Sequence, residues 1–129
     1  MAFYLDSSAA VKLVVREAES DALGAWLGSE PIVASSALVR TETLRAVRRA
    51  EPLGMDQARA ILARFVVHDI DDDILESAVR LDPLVLRSLD AIHLATALRL
   101  GSELEAIVTY DRRMIDGARA LGLPVASPA

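Results

Sequence analysis

Apolar residues along the chain alternate between short compact runs and longer stretches where they recur at helical spacing. Ala2 to Leu5 is the first compact run and ends at Asp6, after which Ser7 and Ser8 offer N-caps for a helix through Ala9, Val11, Leu13 and Val14. Ser20 or Asp21 can cap a second helix through Leu23, Trp26 and Leu27, closed by Gly28 ahead of Pro31. Pro31 to Ala34 reads as a brief strand. Ser35 or Ser36 then caps a longer helix from Ala37 to Ala50, broken by Pro52 and Gly54. Asp56 to Val67 is helical, with Ala58, Ile61, Leu62 and Phe65 on one face, and Val66 to Ile70 can supply a strand. Asp71 to Asp73 open a helix carrying Ile74, Leu75, Ala78, Val79 and Leu81, which ends near Pro83. Ser88 to Leu98 is the most helical stretch of all. Its apolar positions Ala91, Ile92, Leu94, Ala95 and Leu98 wrap most of the circumference, which predicts burial. Gly101 stops that helix, Ala106 to Val108 forms a strand leading to Thr109, Tyr110 and Asp111, and a helix through Met114, Ile115, Ala118 and Leu121 ends at Gly122. Leu123 to Ala126 is a last strand.

Short apolar strands alternating with helices predict a parallel sheet covered on both faces: an α/β fold of three layers, α/β/α, with about five strands. A chain of 129 residues makes one domain, 1–129. Right-handed crossovers put every strand's C-terminal end on one edge, where a ligand crevice belongs. Composition sharpens this picture in three ways. The apolar fraction of 53% against 4% aromatic residues favours packed aliphatic side chains over aromatic stacking platforms. The absence of cysteine excludes disulfides and thiolate metal sites and suits a reducing cytoplasm. No signal peptide or membrane-length apolar run is visible. The net charge of −5 argues against gripping nucleic acid through overall charge, while leaving room for a local basic surface.

The acids gain meaning from that edge. Asp6 and Asp111 each follow a predicted strand. Asp90 opens a helix that leads into a strand, and the extra helix from Asp71 to Pro83 lets it start on the same edge. Glu42 lies inside its helix, on the line of Leu38, Arg45 and Arg49, and must point inward to join them. Each acid has a plain structural role as well: caps or turns for Asp6 and Asp111, a charge on the helix dipole for Asp90, an ion pair with Arg45 for Glu42. Together they demand more, since two carboxylates 4 Å apart repel by about 4 kcal/mol at a surface-like dielectric. A cation resolves the conflict. Oxygen-only ligands favour Mg2+ or Mn2+, and such ions suit phosphodiester hydrolysis by a metal-activated water. Which carboxylate orients the water stays open.

Ser7 or Ser8, and Thr109, are placed to hydrogen-bond a carboxylate or a metal water, besides serving as caps. His93 lies one turn after Asp90, as a hydrogen-bonded structural histidine or a proton shuttle. Arg45, Arg48 and Arg49, with Arg112 and Arg113, form either a basic rim for RNA phosphates or a solvated charged face. Asp116 faces solvent on the last helix, and Trp26 and Phe65 read as core or interface.

The stretches FYLDSSAAVKLVVREAES, SSALVRTETLRAVRR, LRSLDAIHLATALRLG and IVTYDRRMIDGARALGLPV together resemble a PIN-domain protein, in particular a VapC-type toxin of a bacterial toxin–antitoxin pair. The resemblance spans nearly the whole chain in order, spacing and flanking residues. It implies that Asp6, Glu42, Asp90 and Asp111 form the metal site of a Mg2+-dependent endoribonuclease. It further implies structured RNA such as tRNA or ribosomal RNA as substrate, a VapB-type antitoxin as partner and a homodimer. The antitoxin's place would be an apolar groove made by the first helices, with Val11, Val14 and Leu27 as candidates. A PIN-like module that binds RNA or a partner without cutting is the alternative; four intact acids weigh against it. A receiver-type phosphotransfer domain fits poorly, because Asp6 has no adjacent acid and Thr109 and Tyr110 stand where a lysine would be needed.

Overall fold

The computed structural model describes residues 1–129. Five strands, β1 (Ala2–Leu5), β2 (Val33–Ser36), β3 (Val66–His68), β4 (Leu104–Val108) and β5 (Val125–Ala126), form one sheet in the order β3-β2-β1-β4-β5. Every neighbouring pair is parallel. The chain steps outward from β1 to β2 and β3, then crosses back to the other side of β1 for β4 and β5. The strand order therefore reverses beside β1, which is where a parallel sheet opens a crevice at its C-terminal edge.

Seven helices, α1 (Ser7–Lys12), α2 (Ser20–Leu27), α3 (Leu38–Ala50), α4 (Met55–Leu62), α5 (Asp72–Val79), α6 (Ser88–Leu100) and α7 (Arg112–Ala120), complete the chain. Successive side chains of a strand point to opposite faces, and the core divides accordingly. On one face Tyr4 and Ile107 pack with Leu94 and Ala97 of α6 and Met114 and Ala118 of α7. On the other, Leu5 and Val108 pack with Ala9 of α1 and Leu23 and Leu27 of α2. Ala10, Val39 and Leu62 extend that layer through α3 and α4. The expected three-layer α/β fold is present.

Helix α6 delivers its first turn to the crevice for a simple reason. It ends at Gly101, whose φ of 53° only glycine adopts readily, and a single 3-10 turn separates it from the start of β4. Thirteen residues rising about 1.5 Å each then carry the N-terminus of α6 back across the sheet to the strands' C-terminal edge. Burial along α6 is nearly complete from His93 to Ala97, and it includes two polar residues, His93 and Thr96. Leu98, expected in the buried stripe, is instead partly exposed at 38%. The polar positions turn inward because each has a partner: Thr96 donates to the Ile92 carbonyl at 2.7 Å, and His93 is bonded through both ring nitrogens.

Other boundaries shift for identifiable reasons. Strand β2 starts two residues later than the expected Pro31–Ala34 and absorbs both serines, fully buried. Ser35 donates to the Leu5 carbonyl at 2.6 Å, and Ser36 accepts from the Leu38 amide at 3.2 Å, so neither hydroxyl is stranded. Asp6, not Ser7 or Ser8, caps α1, accepting from the Ala9 amide at 3.2 Å, and that helix stops at Lys12 rather than continuing through Val14. Helix α2 begins at Ser20 after Glu19, with no side-chain cap from Ser20 or Asp21. Helix α4 closes at Leu62, five residues short of Val67, leaving Val66 free to join β3.

Leu94 is fully buried between the sheet and α7. Leu94→Ala is expected to lower the unfolding free energy by about 3 kcal/mol through the cavity it leaves, measured by urea denaturation.

Candidate active site

Asp6 stands at the end of β1, and its carboxylate is 4% exposed. Three donors hold it. Oδ1 accepts from the Ser8 hydroxyl at 2.6 Å and the Ala9 amide at 3.2 Å, and Oδ2 accepts from the Thr109 hydroxyl at 2.5 Å. Burial nevertheless pushes its pKa above the ordinary aspartate value, outweighing the hydrogen bonds that favour the ionised form. The same two hydroxyls accept from the chain beyond β4: Ser8 Oγ takes the Tyr110 amide at 2.9 Å and Thr109 Oγ1 the Asp111 amide at 3.1 Å. Two side chains thereby tie the acid after β1 to the loop that carries the acid after β4.

Asp111 caps α7, with Oδ1 accepting from Arg113 at 2.8 Å and Met114 at 3.3 Å. Asp90 lies in the first turn of α6, half-buried. Burial raises its pKa, and the carboxylates of Asp111 and then Glu42 raise it further, while His93 and Arg113 act in the opposite sense. Asp90, Asp111 and Glu42 thus share one electrostatic neighbourhood. Glu42 points inward from α3, as the expected convergence requires, because its Oε1 meets His93 Nε2 at 2.7 Å. The Nδ1 of that ring meets the Tyr4 hydroxyl at 2.6 Å.

Thr109 and His93 are therefore engaged with the acids. Ser7 is not: its neighbour Ser8 makes the bond to Asp6, because in the first turn of α1 the residue two after the cap turns back over the carboxylate. Ser8 bears out the expectation that one of the two serines bonds a carboxylate, whereas Tyr4 was not singled out by the sequence, although it lies two positions before Asp6. Asp116 is exposed on α7, as expected.

Arg45, Arg48 and Arg49 alone line a surface depression of about 230 Å3. Arg112 and Arg113 are exposed at the start of α7, and none of the five forms an ion pair. Trp26 is 43% exposed, its ring 4.9 Å from that of Phe3, while Phe65 is half-buried against two of the core clusters.

The donor set is oxygen-rich, desolvated and mutually repulsive, which is the chemistry of a hard cation's site. The side chains alone do not gather three ligands into a closed cage. That suits an ion such as Mg2+, which keeps several waters and takes only one or two carboxylates directly. Free arginines beside such acids fit a polyanion that must be held while one phosphodiester is cut, which is nuclease chemistry.

Known proteins narrow the class. The PIN domain family model matches residues 3–120. Ribonuclease VapC46 of Mycobacterium tuberculosis is 48% identical over 128 residues, covering 99% of this chain and 98% of its own. Ribonuclease VapC35 from the same species is 45% identical over 129 residues, covering 97% and 96%. Among solved structures, Mycobacterium tuberculosis VapC20, described as a sarcin–ricin loop cleaving toxin, superposes with a TM-score of 0.73 at 22% identity, over 98% of this chain and 100% of its own. A toxin–antitoxin complex from Klebsiella pneumoniae gives 0.71 at 22% identity, over 100% and 98%. The chain belongs to the PIN-domain family, among the VapC-type ribonucleases. Ribonucleases of this type are metal-dependent.

Because Asp6 holds its proton more tightly folded than unfolded, it favours the fold at low pH and withdraws that support as pH rises from its ordinary value through the raised one. Asp6→Asn removes the buried charge. In EDTA the variant is expected to melt several degrees above the parent near neutral pH, with the gap closing toward about pH 4. Thermal melts across that range check it, and a variant that melts lower at neutral pH would contradict a net desolvation cost. Thr109→Val removes a donor from a buried carboxylate and is expected to cost about 2 kcal/mol by urea denaturation.

Proposed function

We propose that this ribonuclease hydrolyses RNA internally at the acidic edge, with Asp6, Asp90, Glu42 and Asp111 holding Mg2+, for which Mn2+ can substitute. The observation that carries the assignment is the clamp on the buried Asp6 carboxylate, whose oxygens are held by Ser8, Ala9 and Thr109 while the same two hydroxyls hold the loop that carries Asp111. Such a set gains most from a cation. When bound, the ion supplies positive charge for the scissile phosphate and an activated water.

The chain's own residues do the rest. Ser8 and Thr109 fix both oxygens of Asp6 in direction, so the carboxylate does not reorient as substrate arrives. Asp90 and Asp111 bring further oxygens from the first turn of α6 and the cap of α7. Arg45, Arg48 and Arg49 on one side and Arg112 and Arg113 on the other take flanking phosphates, which places substrate specificity in the shape of a structured RNA, such as tRNA or ribosomal RNA.

As a VapC-type toxin the protein works against a VapB-type antitoxin in the cytoplasm. No helix is long and apolar enough to cross a membrane. A cavity of about 410 Å3 between α2 and α4 offers a seat for an antitoxin segment. Leu27 lines it together with Leu13, Val33, Ile61 and Phe65, whereas Val11 and Val14 lie outside it. Leu84 and Val85, exposed between α5 and α6, are apolar surface available to a homodimer.

Asp6→Asn and Asp90→Asn are each expected to lower cleavage of a structured RNA by more than about a hundredfold in Mg2+ or Mn2+ while leaving circular dichroism unchanged, and EDTA to stop the parent. Parent-like rates in both variants would refute the site. Arg48→Ala and Arg49→Ala should each weaken RNA binding and reduce the salt slope of affinity by about one, measured by filter binding on the Asp6→Asn background.

A further inference from the structure

His93 is buried in α6, 2% exposed, and its ring has one hydrogen-bond partner at each nitrogen. The Ser36 amide donates to the Tyr4 hydroxyl oxygen at 3.1 Å, so that oxygen is already an acceptor. The hydroxyl proton of Tyr4 then needs an acceptor of its own in a buried site, and His93 Nδ1 lies 2.6 Å away, with the hydroxyls of Ser35 and Thr96 also beside it. Tyr4 keeps that proton at every ordinary pH, since burial raises its pKa well above the usual phenol value. An Nδ1 that accepts from Tyr4 puts the ring proton on Nε2, which faces Glu42 Oε1 at 2.7 Å.

We infer that His93 is a positioning residue for Glu42: backed at Nδ1 by the Tyr4 hydroxyl, the buried ring donates from Nε2 to Glu42 Oε1 and orients that carboxylate toward the metal site. This rests on the reading of Glu42 as a ligand. The relay runs from the end of β2, through β1, across α6 to α3, so it makes the inward turn of Glu42 a property of the core rather than of its own helix. Only one oxygen of Glu42 is used in it. Oε2 has no partner within the protein and stays available to a cation or its waters. A histidine that donates to a ligating carboxylate tunes it as outer partners generally do, by orientation.

The tautomer is read directly by 15N NMR of the ring in metal-free protein. The expected pattern is a proton on Nε2, donated to Glu42; a ring with no proton on Nε2 overturns the inference. Binding of Mn2+ alone, by calorimetry, tests the consequence. His93→Asn, whose short amide cannot reach Glu42, is expected to weaken Mn2+ at least about tenfold, and His93→Gln, whose amide reaches further, to recover most of that loss. Parent-like Mn2+ affinity in His93→Asn overturns the positioning role. Glu42→Gln separates the two readings. If it weakens Mn2+ while His93→Asn does not, positioning alone fails; if Glu42→Gln binds Mn2+ as the parent does, Glu42 is no ligand and both fail. Should His93→Asn fail to fold, the ring tautomer in the parent together with His93→Gln decides the matter.

Discussion

The bond network around the Asp6 carboxylate is the constraint on which the rest of the molecule turns. A carboxylate this deeply buried is costly unless its lone pairs are satisfied, and here the partners come from two places that are far apart in sequence and adjacent in space. Ser8 and the Ala9 amide belong to the helix that Asp6 caps; Thr109 belongs to the end of β4. Meeting the needs of one acid therefore joins the ends of the two central strands. It also sets the loop that carries Asp111, because the same hydroxyls accept the amides of Tyr110 and Asp111. Fold and site are one structure at this point.

That arrangement is left electrostatically incomplete. Three hydrogen bonds do not bring the pKa of Asp6 down to its ordinary value, and Asp90 faces two further carboxylates. A protein selected for stability alone would replace such acids with amides or apolar residues of similar size. Buried and mutually repelling carboxylates of this kind are a usual mark of a functional edge. The exposed arginines lie outside this conflict. Each remains unpaired and hydrated, so their charge is available to a phosphate backbone instead of being spent on internal ion pairs.

Much of this was legible before any coordinates. The alternation of compact runs and helical stretches predicted a parallel three-layer fold, and the position of Asp6 and Asp111 after strands put both on the C-terminal edge. Helix ends marked by Gly28, Gly101 and Gly122 all held. Packing moved several boundaries: α1 stops at Lys12, α4 at Leu62, and Ser35 lies inside the sheet, where its hydroxyl donates to the Leu5 carbonyl 30 residues away. Local polarity reports that a side chain needs a partner and says nothing of how far away the partner sits.

The sequence by itself determined the fold class, the strand-end edge on which Asp6 and Asp111 lie and the family, because each follows from periodicity, from the handedness of crossovers, or from the order and spacing of motifs along the chain. Only the tertiary structure decided how each acid is held. The bonds from Thr109 to Asp6, from His93 to Glu42 and from Tyr4 to His93 join residues 51 to 103 positions apart, and their formation depends on burial that shields them from water. Hydrogen bonds in a core are chosen by what is left within reach once the layers have packed, and that choice is written in three dimensions rather than in spacing.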